Sequence, residues 1–157
     1  MKRLIIPMAI VLLTLGFNQS CSKDETDVDE NITEADMPQI KAAVESGDWR
    51  ITNYSDDDMD ETTNYMGYSF TFNSDGILGA TNGNISVSGA WSITISDNST
   101  DDNSDDDIDF NIFFTSPDIF EELTDDWEIV NYSTTKIELI DISGGDGNTD
   151  YLTFEKN

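Results

Sequence analysis

Residues 68–95, YSFTFNSDGILGATNGNISVSGAWSITI, decide the fold. Tyr68, Phe70 and Phe72 alternate with polar residues, as do Ile85 and Val87, and then Trp91, Ile93 and Ile95. A period of two puts every second side chain on one face, which describes a strand with one dry and one wet side. Asn73-Ser74-Asp75-Gly76 and Thr81-Asn82-Gly83-Asn84 separate these runs. Asn, Asp and Gly tolerate the left-handed backbone that tight turns need, so the runs are joined as hairpins.

The same period continues outward. Ile108, Phe110, Ile112 and Phe114 repeat it, followed by Trp127 with Ile129, Ile137 with Leu139, and Leu152 with Phe154. Trp49-Arg50-Ile51-Thr52-Asn53-Tyr54-Ser55 and Trp127-Glu128-Ile129-Val130-Asn131-Tyr132-Ser133 share wording, either as an internal duplication or, the favoured reading, because Trp-x-Ile suits a strand entering a core. The count is eight or nine strands in an all-β antiparallel meander, closed as a barrel or folded as a β-sandwich. Two segments break the pattern. Thr33 or Asp36 caps a short helix with Pro38 in its first turn, Met37, Ile40, Ala43 and Val44 on one face, and Gly47 at its end. Ser116, Pro117, Ile119, Phe120 and Leu123 predict a helical crossing over 117–123.

The amino terminus reads differently. Met1-Lys2-Arg3 is a positive n-region and Leu4 to Phe17 an apolar h-region, too short for an ordinary membrane-spanning helix. Cys21, the single cysteine, follows directly after the small residue Ser20. This predicts a lipoprotein signal over 1–20, cleavage before Cys21, and a lipid on its sulfur that holds the chain on a membrane. Residues 21–32 read as an acidic tether and 33–157 as one domain. Ser22-Lys23-Asp24-Glu25 resembles the lipoprotein export signal of certain didermic bacteria, which implies an outer-membrane location facing the cell exterior.

Lys and Arg number 7 against 33 acids. Two of the 7 lie in the signal, so the mature chain carries five cations against 33 acids, a net of −28. Such a field repels nucleic acid and anionic lipid. The absence of histidine removes Ser-His-Asp and Cys-His catalysis and imidazole-ligated zinc. With 33 acids, carboxylate pairs such as Asp118 and Glu121 arise by chance, so the chain is read as no enzyme. No cofactor is expected, apart from weak calcium binding. The candidate ligands are Asp101, Asp105 and Asp107 in the loop Asp97–Asp107, with a second acidic cluster at Asp56-Asp57-Asp58. The loop is no EF-hand, since Asp106 stands where the loop glycine would be and Ile112 where the bidentate Glu would be.

Gly47-Asp48-Trp49, directly after a short helix and opening the first strand, resembles the start of the lipocalin and calycin folds. The segments 66–72, 88–91, 127–129 and 151–156 are likewise similar to small lipocalin-like lipoproteins of didermic bacteria. The resemblance implies an eight-stranded up-and-down barrel in which Gly47 and Trp49 close the base under a basic residue, a part open to Lys156. It implies a non-catalytic domain that binds a small apolar or amphiphilic ligand, its entrance ringed by the Asp97–Asp107 loop and the 117–123 crossing. The alternative is a filled β-domain serving as an interaction module for an envelope protein or a glycan.

Overall fold

The computed structural model describes residues 32–96, 107–142 and 149–157. It is an all-β, closed antiparallel barrel of eight strands with a short amino-terminal helix. The helix α1 spans Met37–Val44, and the barrel strands are β1 (Trp49–Asp56), β3 (Ser69–Phe72), β4 (Ile77–Thr81), β5 (Ser86–Ser96), β6 (Asp107–Phe113), β7 (Asp125–Tyr132), β8 (Lys136–Ile142) and β9 (Thr149–Lys156). A ninth, two-residue strand, β2 (Met59–Asp60), folds back on β1 outside the barrel. Each barrel strand pairs with the next barrel strand, and β1 pairs with β9 from Trp49↔Lys156 to Ser55↔Tyr151. That last pairing decides between barrel and sandwich: with the ladder closed, β1 and β9 lose their edges. The narrowest seam is β1 to β3, where only Trp49↔Phe70 pair.

Alternation supplies the core. Phe70 and Phe72, Phe110 and Ile112, Ile137 and Leu139, and Leu152 and Phe154 are all buried inside the ring of strands. In β1 the register against β9 shifts between Ile51 and Asn53, a bulge at Thr52. One extra residue resets the parity, so Ile51 and Tyr54 both turn inward and are buried. Ile85 and Ile95 depart from the sequence pattern, being 52% and 37% exposed. Ile85 precedes β5, and Ile95 sits at its far end, where β5 pairs only with β6.

Three indoles tie the connections to the barrel. Trp49 Nε1 donates to the Val44 carbonyl at 2.8 Å, Trp91 Nε1 to Asn73 at 2.9 Å, and Trp127 Nε1 to Leu123 at 3.1 Å. Each buries a large ring while giving its one donor an acceptor in a turn or helix end, the condition for burying Trp without cost. α1 covers one end of the barrel, with Ile40 and Val44 fully buried. The crossing at the other end is shorter than the pattern over 117–123 suggests. Its helix α2 is the single turn Asp118–Glu121, and Pro117 is its N-cap in extended conformation. Phe120 and Leu123 plug that end, and the Tyr54 hydroxyl, donating to the Glu122 carbonyl at 2.7 Å, holds the crossing down.

The expected entrance involves the Asp97–Asp107 loop, of which residues 97–106 lie outside the described residues. β6 runs from Asp107, paired with Ser96, to Phe113, where the crossing begins. A strand's two ends lie at opposite ends of a barrel, so Ser96 and Asp107 are at the end away from Phe113 and the crossing. The interior is also occupied. Rings follow one another along the axis: Tyr54–Tyr65 at 5.4 Å, Tyr65–Phe120 at 5.8 Å, Phe120–Phe70 at 6.1 Å, Phe70–Phe154 at 5.4 Å, Phe154–Phe72 at 5.4 Å and Phe72–Trp91 at 5.4 Å. These are contact separations for aromatic pairs, so these rings pack on one another inside the barrel.

Candidate functional site

Four places on the described residues carry chemistry. At the α1 end, Gly47 has φ +92°, a left-handed turn that ends the helix segment and delivers Trp49 into the core. Lys156, the last residue of β9, pairs with Trp49 across the closing ladder and holds its Nζ 5.1 Å from the indole centroid. The structure thus places Lys156 as a cation over the Trp49 ring, two residues after Gly47.

At the opposite end the inward columns finish in carboxylates. By strand alternation Asp125 continues the column of Trp127 and Ile129, Asp141 that of Leu139, Asp150 that of Leu152, and Asp56 that of Tyr54. Asp141 and Asp150 are direct ladder partners. The β1–β2 turn adds Asp57 and Asp58, both left-handed at φ 48° and 63°, and the Asp57 N–H donates to Asp150 Oδ1 at 3.0 Å. Carboxylate oxygens of Asp56, Asp57 and Asp150 lie within 4.8 Å of one another. Three oxygens at this spacing are part of the six to eight that calcium takes.

Crowding shows in the titration of these groups. Asp125 is pushed up to about 6, by burial first and then by the charges of Asp141 and Asp126, against the lowering effect of the Asp126 N–H that it accepts at 2.8 Å. Asp56 and Glu122 are also raised, each by burial and then by neighbouring acids. The folded chain therefore holds protons that the unfolded chain has released, and stability falls as pH rises from about 4 to about 6. Asp36 and Glu138 shift the other way, so their contribution is lost only below about pH 4. We expect Asp125→Asn to raise the melting temperature at neutral pH and to flatten its rise toward about pH 5. The gain should be about 1 kcal/mol once screening of a half-exposed group is allowed for. Melts at the two pH values check this, and a lowered melting temperature for Asp125→Asn at neutral pH would contradict it.

The third place is an apolar cleft beside α1, of about 580 Å³, in which Met37 and Pro38 face Trp91 and Ile93. The fourth is a groove of about 570 Å³ on the outer face of β7, β8, β9 and β1. Its two walls are bulges: Thr52 in β1 and Val130 in β7, where the register against β8 shifts between Ile129 and Asn131. Bulges on both flanking strands bend the sheet around the groove. Lys136 Nζ donates to Glu138 Oε1 at 2.6 Å and Asn131 Nδ2 to Glu138 Oε2 at 3.0 Å. The Lys136 bond, more than the Asn131 bond, holds the Glu138 carboxyl below its usual range.

Of the residues singled out in the sequence, Cys21, Ser22, Lys23, Asp24, Glu25, Asp101 and Asp105 lie outside the described residues, and Asp107 is described only by its backbone, as the start of β6. Asp118 and Glu121 are exposed on α2. The sequence reading named Asp56, Asp57 and Asp58 but not Asp125, Asp141 or Asp150, which share the mouth with them, and it missed the outer groove. The mouth had a signal, an Asp at the last inward position of four strands. The groove had none, because bulges obey no period.

No family model matches the chain, and no curated protein matches it. Among solved structures the chain is similar to a DUF4847 family protein from Bacteroides vulgatus, with 15% identity over 75% of this chain and 97% of that one and a TM-score of 0.45.

Proposed function

We propose that this chain is a lipid-anchored outer-membrane protein, held through Cys21 and facing the cell exterior, whose filled barrel acts without catalysis by presenting its outer surface to an envelope protein or a glycan. The carrying observation is the unbroken line of rings along the axis, from Tyr65 through Phe120, Phe70, Phe154 and Phe72 to Trp91. A carrier that encloses its ligand needs that space. What supports the anchor is the sequence alone: the signal pattern, Cys21 and Ser22-Lys23-Asp24-Glu25. Radiolabelled palmitate should enter the wild-type chain and not Cys21→Ser, and the domain should be shaved from intact cells by external protease. Label in Cys21→Ser would contradict the anchor, and protection from protease the location.

The amphiphile reading keeps one foothold, the cleft of Met37, Pro38, Trp91 and Ile93 beside α1. A naphthyl fluorophore separates the two. No saturable binding is expected if the outer surface is the working part. Saturable binding that Ile93→Asp abolishes would transfer the function to the cleft.

A further inference from the structure

We propose that the outer groove between the bulges of β1 and β7 is a binding site for a neutral oligosaccharide, seated on Tyr151. The proposal rests on the reading of the outer surface as the working part and names the ligand class for it.

The argument starts from charge. In a mature chain of five cations and 33 acids, this groove is internally neutralised. Lys136 is bonded to Glu138 at 2.6 Å, and Arg50 lies 3.4 Å from Glu155, which lines the groove. A cation would find the acids already paired, and an anion would meet the field of the whole molecule. A neutral polar ligand meets neither obstacle.

The lining has two characters. Tyr151 and Val130 expose 47% and 52% of their surface, and Ile140, the ladder partner of Tyr151, lies beside them. Thr52, Asn53 and Thr153 line the same groove with side chains that make no hydrogen bond to described residues, although each carries donors and acceptors. A pyranose offers the matching pair of surfaces: an apolar C–H face that packs on an aromatic ring, and an equatorial belt of hydroxyls. The volume of about 570 Å³ lies in the range of small-ligand sites. An extended peptide fits less well. β8 and β9, the floor of the groove, are paired on both sides in the ladder, so neither offers an edge for main-chain strand addition.

The test uses the full chain, isotope-labelled and purified in a detergent that carries no sugar. It is titrated with cellopentaose, maltopentaose, xylopentaose and mannopentaose. At least one should bind saturably, shifting the side-chain amide signals of Asn53 and Asn131. Tyr151→Ala should weaken that sugar by about tenfold or more while leaving the remaining spectrum unchanged. Failure of all four sugars at millimolar concentration would overturn the proposal, as would binding undiminished in Tyr151→Ala. A photoreactive group placed at position 151 that crosslinks a protein, with no sugar competing, would also overturn it while leaving the outer-surface reading intact. Sugar-induced shifts confined to buried rings such as Phe72 and Phe110 would sink that broader reading itself.

Discussion

Phe72→Ala is expected to remove about 3–5 kcal/mol of folding stability, a large share of what a domain of this size holds. Phe72 is 1% exposed and stands where three rings meet: Trp91 at 5.4 Å, Phe110 at 5.6 Å and Phe154 at 5.4 Å. Truncation removes the transfer energy of the ring and leaves a void between strands that the closed ladder prevents from moving together. Phe113→Ala is the internal control. Phe113 is 54% exposed on the neighbouring face of β6, so its loss should change stability by about 0.5 kcal/mol or less. Urea denaturation of both variants checks this. A loss below about 1 kcal/mol for Phe72→Ala would mean the axis is loosely filled, and would reopen the carrier reading.

Gly89→Ala should be the second most damaging single change, although it adds one methyl group. A Cβ at position 89 would overlap the Phe113 carbonyl oxygen and lie 2.6 Å from the Phe114 ring. The first contact is with backbone, which no rotamer change relieves, so β5 and β6 must separate just where the ladder leads into the crossing. Overpacking of this kind costs about 1–3 kcal/mol, and a backbone clash belongs at the upper end. Gly79→Ala, in the neighbouring strand β4, is the contrast. Its Cβ would meet only the Thr71 carbonyl at 3.9 Å, an ordinary contact, and its melting temperature should hardly move. Equal effects at the two sites would show that the cost at Gly89 is conformational and not steric.

Much of this fold was legible in advance, and the reason is local. Phe70 and Phe72, or Ile137 and Leu139, declare their strands because a pleated backbone turns alternate residues to one side, whatever the rest of the chain does. Turn residues declare the hairpins in the same way: Asn82 Oδ1 accepts the N–H groups of Asn84 and Ile85, at 3.1 and 2.9 Å, within a few residues of itself. What local patterns do not give is anything that needs distance. β6 separates Ser96 and Asp107 from the crossing by its whole length, which no local pattern states.

The sequence by itself determined the all-β class, the position of most strands, the two helical connections, and the charge and missing histidine that bound the chemistry. Only the tertiary structure decided that β1 meets β9, that Asp57 meets Asp150 across 93 residues, and that Phe72 meets Phe154 inside the barrel. Periodicity says which way a side chain points. Whether the enclosed space holds a ligand depends on barrel radius against summed side-chain volume, and on bulges at Thr52 and Val130 that reset the pleat, which are properties of the closed ring and of no single strand.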